Sequence, residues 1–417
     1  MKSIYLIGLS LLVFLNLACG DRNFRKGIDP KPEHLAPKNV SESFGFENDQ
    51  LYIDKNSLEK EFLLQAVLSP QLPAAQFSST KSRVVSFRLR NNKIYMLEAT
   101  QGHSSSSSLP QNLLLAEFPI INEKGNFVSF DFNAGMSQIF VAEDWSGHEG
   151  EEIKYDAKAV FKSAPVKVSY LEEVKLLNSN QFMIRQIAQI DYEGSPLPIE
   201  VKYYLSPYNP NPKFVPTESK NYDRFGFFEV TPVVEDSNKA FTYATKWDIE
   251  KPVTFAISSN TPIEFREAIR EGVLYWNKAF GREVLNVVMA PAGVNAPDID
   301  YNVIQWMDWA SARFAYADGQ FDPRSGEALH AQIFLPSGIA NIGKGIVRNI
   351  TRTWPNVGLK NFGSGHLCEY QNQNALFENY ENLMHANLSE KEIADLNLDF
   401  LRAIVAHEVG HTLGLRH

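Results

Sequence analysis

Three features of the chain predict an α+β fold. Residues 44–240 carry short runs of alternating apolar and polar residues, as half-buried strands require, and sustain no helical period. From residue 246 onward, strand-like runs are interleaved with helical ones. Two segments, opening at Thr261 and at Ser389, begin with capping residues and continue with apolar residues at helical spacing. The expectation is a β-rich N-terminal region, 44–240, followed by a mixed region, 246–417.

The bulk numbers narrow the class. At 417 residues the chain has room for two or three domains, and 44% hydrophobic with 21% charged residues is a folded composition. A net charge of −9 argues against a nucleic-acid binder. Two cysteines, Cys19 and Cys368, leave no disulfide framework and exclude a four-thiolate zinc site.

The N-terminus, MKSIYLIGLSLLVFLNLACGD, has one Lys before an apolar run from Ile4 to Leu17. That is a secretory signal, residues 1–18, too short for a comfortable membrane span. Cys19 is placed as in a bacterial lipoprotein cleavage site, where it becomes the lipidated N-terminus. Residues 19–43, polar and holding Pro30, Pro32 and Pro37, suit a tether.

Within 44–240, VSFRLRNNKIYMLEA reads as a hairpin turning at Asn91-Asn92. QGHSSSSSLP is a surface loop; NFVSFDF, FMIRQIAQIDY and IEVKYYL are strands; SPYNPNPKFVP is a connector. Beyond Trp247, PVTFAIS reads as a buried strand. A helix then starts with Thr261 as N-cap and Glu264 closing a capping box, and Phe265, Ile269, Val273, Trp276 and Phe280 form its apolar face. EVLNVVMA, YNVIQWM and ALHAQIFLP follow as strands. A glycine-rich stretch, 336–388, precedes a second helix capped by Ser389 and Glu392, with a break expected near Asn397–Asp399.

That helix carries HEVGHTLGLRH, His407 to His417. Residues four apart share a helix face, so His407 and His411 can hold one metal ion. Glu408 is one step round, where a general base for a metal-bound water belongs. Gly414 can adopt a positive φ and end the helix, so that the chain bends back and His417 becomes a third ligand. Three neutral imidazoles and a water make an open, catalytic zinc site. The expected chemistry is attack of the metal-activated water on a carbonyl, with Glu408 taking its proton and passing it to the leaving amine. Three of the nine histidines of the chain fall in this eleven-residue window, which sets the motif apart from histidines on an ordinary packed helix.

HExxHxxGxxH resembles the signature of metzincin metalloendopeptidases. TPIEFREAIREGVLYWNKAFG, DIDYNVIQWM, DPRSGEALHAQIFLP and the terminal motif together look like a bacterial group of zinc-dependent metzincins with large uncharacterised N-terminal regions. The likeness is strong over about 247–417 and faint before it, where NYDRFGFFEV is similar to a segment ahead of the catalytic domain. The resemblance implies a metzincin-like catalytic domain over 246–417, with a mixed twisted sheet above an active-site helix, and zinc-dependent hydrolysis of protein or peptide substrates. It also makes ALHAQIFLP the edge strand over the cleft, with Ala331 and Ile333 positioned to pair with an extended substrate. The chain departs from the family in lacking a Met-containing turn and a C-terminal subdomain. It is therefore expected to be truncated after the motif and inactive by itself, the bend at Gly414 held by local contacts alone.

Other residues support weaker readings. His366 and His385 could bind a second metal but fit solvated loop positions better. His330 fits an exposed strand position. Cys368 reads as an inert thiol or one paired beyond residue 417, Asp223 with Arg224 as a structural turn, and Phe225, Phe227 and Phe228 as core. The leading reading is a zinc metalloendopeptidase held at the cell envelope by a lipid anchor, on the periplasmic or outer-membrane side, or secreted. A second is a non-catalytic envelope lipoprotein whose β-rich region binds a partner and whose zinc site is incomplete. A third is hydrolysis of a non-peptide carbonyl. Glu408 favours catalysis, because a structural zinc site has no use for it. The N-terminus yields the first prediction. Cells fed radiolabelled palmitate should label the wild-type protein and not Cys19→Ser, and equal label in both would exclude the anchor.

Overall fold

The computed structural model describes residues 36–69, 82–99, 112–140, 163–177, 180–192, 195–219, 226–230, 233–234, 240–241, 243–310, 315–340 and 389–416. Cys19, Cys368, His366, His385, His417 and Asp223–Phe225 lie outside these residues.

The long alternating runs of the first half build one twelve-stranded antiparallel sheet. Its strands are β1 (Asn39–Val40), β2 (Phe44–Glu47), β3 (Gln50–Asp54), β4 (Glu61–Ser69), β5 (Arg83–Arg90), β6 (Lys93–Ala99), β7 (Asn112–Lys124), β8 (Phe127–Phe130), β9 (Gln138–Phe140), β10 (Ser163–Leu177), β11 (Gln181–Tyr192) and β12 (Ser195–Pro207). Their order is β1-β2-β3-β8-β7-β6-β5-β4-β12-β11-β10-β9. Asn91 and Asn92, with φ of 48° and 59°, form the expected left-handed turn between β5 and β6. Asn48 and Asp49, at 51° and 59°, do the same between β2 and β3.

An aromatic core curls this sheet. Phe44, Phe62, Phe87, Phe118, Phe130, Phe132, Phe182 and Tyr203 belong to one buried cluster, Phe132 lying in the single turn α1 (Phe132–Gly135). Phe44 on β2 and Phe182 on β11 stand far apart in the strand order, yet their ring centroids are 5.0 Å apart. At the same seam the Ser43 amide donates to Asn180 Oδ1 at 3.4 Å. A flat sheet could not bring these residues together.

After a two-stranded ribbon, β13 (Val233–Val234) with β14 (Ala240–Phe241), a smaller sheet follows. It contains β15 (Val253–Ile257), β16 (Leu285–Met289), β17 (Asn302–Met307), β18 (Tyr316–Phe321) and β19 (Ala328–Pro336), in the order β16-β15-β17-β19-β18. The pairs β15–β16, β15–β17 and β17–β19 are parallel, and β18 runs antiparallel to β19. Helix α2 (Ile263–Phe280) connects β15 to β16, and one turn, α3 (Ser337–Ala340), follows β19. Helix α4 (Glu390–Thr412) is the last described helix, and its apolar face joins that of α2 in one core with the sheet. The two helices approach closely because Gly272 has no side chain: a Cβ there would lie 2.8 Å from the Arg402 carbonyl oxygen and from Val405 Cβ.

The expected α+β class, with a metzincin-like catalytic domain as its second half, is corrected. The protein is mostly β, because the curled antiparallel sheet dominates and strand residues far outnumber helical ones. Finer expectations change too. The capping box at Ser389 and Glu392 forms, but the break at Asn397–Asp399 does not, and α4 is continuous. Thr261 does not cap α2. Its hydroxyl is engaged with Ser258 Oγ at 3.0 Å, and Pro262 takes the N-cap position. Part of the expected tether is folded, since β1 pairs with β2. Phe227 and Phe280, expected in cores, are 43% and 40% exposed.

The expected edge strand is also corrected. ALHAQIFLP is β19, and β17 and β18 pair with it on either side. Ala331 and Ile333 are buried at 1% and 0% exposure, so neither can pair with a substrate. The edge position falls to β18, whose YADGQF carries Asp and Gly and gives a weak strand signal in the sequence.

The described residues form one compact unit. The two sheets meet through polar contacts. Arg324 grips Glu61 with both guanidinium nitrogens, at 2.8 and 2.6 Å, and lies 4.8 Å above the Tyr208 ring. Ser82 Oγ donates to Gln320 Oε1 at 2.9 Å, and Lys202 Nζ to the Pro297 carbonyl at 2.8 Å. His330, opposite Gln320 in the β18–β19 register, is buried on this polar face rather than exposed. Its Nε2 has no hydrogen-bond partner among the described residues, and burial pulls its pKa down from 6.5 to about 4. The neutral ring is tolerated; the charged one is not. Between these pKa values the unfolded chain holds a proton that the folded chain lacks, so stability falls as pH drops from about 6.5 towards 4. Urea unfolding at pH 7 and pH 4.5 should show a smaller acid loss in His330→Gln, by up to about 2–3 kcal/mol. Equal losses would mean that the ring is not desolvated.

Candidate metal centre

On α4, His407 and His411 lie one turn apart, with ring centroids 4.6 Å apart and planes at 88°. Their Nε2 atoms converge to 3.1 Å. His411 Nδ1 is 2.8 Å from the Leu415 carbonyl oxygen. A carbonyl can only accept, so Nδ1 carries the proton and Nε2 presents its lone pair towards His407. In a tetrahedral zinc site, ligand nitrogens about 2.0–2.1 Å from the ion stand about 3.3 Å apart. The two histidines therefore fit such an ion, and the carbonyl is the kind of partner that orients a ligating imidazole. Glu408, between them in sequence, is 1% exposed.

The turn that supplies this carbonyl is built by the sequence Gly410-His411-Thr412-Leu413-Gly414-Leu415. Gly414 has φ of 97°. Its amide donates to the His411 carbonyl at 2.9 Å, and the Leu415 amide to Gly410 at 3.0 Å. This pair of bonds is a Schellman ending, which turns the chain back along the helix. Glycine is required at 414 on two counts: φ is left-handed, and a Cβ would lie 2.1 Å from the Thr245 carbonyl oxygen.

The sequence predicts a bend held by local contacts alone, and the structure adds long-range ones. The Phe228 amide donates to the Gly414 carbonyl at 2.7 Å, and the Arg416 amide to Gly226 at 3.1 Å, so Phe227 and Leu415 form an antiparallel bridge. Trp247 Nε1 donates to the Thr412 carbonyl at 2.8 Å, and Trp276 Nε1 to that of Ala406 at 2.8 Å. Gly410 makes room for Trp276: a Cβ there would lie 2.9 Å from its ring. The Phe228 ring stands 5.9 Å from that of His411.

Sequence reasoning placed His407, Glu408, His411 and the turn at Gly414. It took Trp276 and Phe228 as core residues and missed that they, with Thr245, Trp247 and Gly410, brace the site. Gly410 left a trace of its role, as a glycine inside a helix, where it costs about 1 kcal/mol and so signals a close approach. The third expected ligand, His417, lies outside the described residues. Among the described residues no group of three or more His, Cys, Asp or Glu converges.

Gly414→Ala should destabilise the fold by at least about 1–3 kcal/mol, the cost of a strained backbone position, with the clash at Thr245 adding to it. A denaturation midpoint equal to wild type would refute the turn as described.

A family model described as Met-zincin matches residues 389–417, the span of α4 and its turn. No curated protein matches the chain. Residues 389–417 are thus a metzincin-like region, related to zinc metallopeptidases.

Proposed function

We propose that this protein is a zinc-dependent metalloendopeptidase, with His407, His411 and His417 as the metal ligands and Glu408 as the general base. The observation that carries the reading is the convergence of two Nε2 atoms at 3.1 Å, with the His411 Nδ1 proton committed to Leu415. The match to a Met-zincin model over the same residues supports it.

Zinc, when bound, supplies a Lewis acid that acidifies water and stabilises negative charge on a carbonyl oxygen. The chain's own groups do the rest. His407 and His411 offer neutral nitrogens from one face of a rigid helix. The Leu415 carbonyl keeps the His411 proton on Nδ1 and so leaves Nε2 available. Glu408, adjacent in sequence, takes a proton from the attacking water and returns it to the leaving amine. The substrate is a protein or peptide. In this reading a lipid on Cys19 holds the enzyme at the cell envelope.

The test is Glu408→Gln in the full natural protein. It should retain about one equivalent of zinc and lose peptide cleavage by about 10²–10⁴-fold or more, whereas His407→Ala should lose the metal itself. Zinc content by atomic absorption and cleavage of a quenched peptide library measure both. Near-normal turnover in Glu408→Gln would refute the assignment.

A further inference from the structure

We infer that the segment Gly226–Val230, which precedes the metal-binding helix by some 160 residues of sequence, is a positioning strap for the metal centre. This inference rests on the reading above. Nδ1 of His411 is held by the Leu415 carbonyl at 2.8 Å. Leu415 is flanked on both sides by residues whose backbone groups pair with the strap: the Gly414 carbonyl accepts from the Phe228 amide at 2.7 Å, and the Arg416 amide donates to the Gly226 carbonyl at 3.1 Å.

The strap is fixed in turn from behind. The Thr245 amide donates to the Phe228 carbonyl at 2.7 Å, and the Val230 amide to the Tyr243 carbonyl at 3.0 Å. Val230 packs with Phe321 of β18 and Ala328 of β19, against Tyr243 and Trp247. The strap therefore transmits the position of the sheet to one carbonyl, and that carbonyl aims one imidazole. A chain running on from a helix frays unless it is docked. The Phe227–Leu415 bridge is that docking. Phe228 also places its ring beside His411, so the backbone bond has to be tested apart from the side chain.

The experiment compares Phe228→Pro, which deletes the amide donor to Gly414, with Phe228→Leu, which keeps the amide and removes the ring. Two readouts are taken on the full protein. The first is zinc affinity by competition with a chromophoric chelator. The second, on metal-free protein, is the imidazole ¹⁵N spectrum of His411, assigned with His411→Asn, which reports whether the proton sits on Nδ1. Phe228→Pro should weaken zinc by about 10–100-fold, the usual effect of losing a group that orients a ligand, and should mix the His411 tautomers. Phe228→Leu should stay close to wild type in both. Wild-type affinity and an unmixed tautomer in Phe228→Pro overturn the inference, and so do equal losses in the two variants.

Should Phe228→Pro fail to fold, hydrogen exchange on metal-free wild type decides. The Phe228 and Arg416 amides should be protected as strongly as the Leu415 amide, and unprotected exchange at both overturns the strap. The two readings fail separately. A wild-type protein that binds no zinc defeats the proposed function, while the tautomer and exchange readouts still decide the strap.

Discussion

One carbonyl group governs the proposed metal centre. An imidazole with neither nitrogen committed can present either one, and can turn about its side-chain bonds. The Leu415 oxygen, 2.8 Å from His411 Nδ1, removes both freedoms at once. Its own position follows from the left-handed Gly414, whose missing side chain lets the turn lie against Thr245. A two-histidine pair on a helix is common geometry. A pair whose second ring is held from outside the helix is prepared for a ligand, because the cost of ordering that ring is met during folding rather than at binding.

A second constraint is the closeness of α2 and α4. Each carries a glycine where the other helix or its side chains approach: Gly272 faces Arg402 and Val405, and Gly410 faces Trp276. Glycine inside a helix sacrifices about 1 kcal/mol relative to alanine. Here the loss is offset by interlocking contacts in which Ile269, Val273, Leu401, Val405 and Val409 are all buried. The Trp276 indole then bonds the Ala406 carbonyl, one residue before His407. So the face of α4 that bears the histidines is set by what packs on its opposite face.

Local signals in the sequence were legible wherever one residue type dictates the backbone. Asn91-Asn92 announced a hairpin, Ser389 with Glu392 a helix start, and Gly414 a turn, because each rests on bonds or φ values within a few residues. The overall class was misjudged for the opposite reason. Curling a sheet so that Phe44 meets Phe182 depends on contacts about 140 residues apart, and no local pattern encodes that distance. β18 was missed because its strand character comes from pairing with β19 and not from its own composition. With β18 absent, nothing corrected the edge position that the resemblance implied for ALHAQIFLP, and Ala331, Ile333 and His330 were expected on a surface that the structure buries. The motif itself could be read because His407, Glu408, His411 and Gly414 belong to one helix and its ending. What braces it could not, since Phe228, Thr245 and Trp247 are distant in sequence.

The connector between the two sheets therefore has a structural role that its composition conceals. Ala244 bonds Thr217, Lys246 bonds Gly326, and Ala328 bonds Lys246, so the chain is tied to the smaller sheet at Lys246 before that sheet's first strand begins. The same segment supplies Thr245 behind Gly414 and Trp247 on Thr412. A boundary drawn at residues 240–246 would cut through these bonds. Separating the second region there would strip the helix ending of its bonds to Gly226 and Phe228 while leaving its local hydrogen bonds and the Trp247 bond intact. The local bonds define the turn, but the long-range ones fix its place, and a metal ligand needs both, since an imidazole about 1 Å out of position no longer shares an ion with its neighbour.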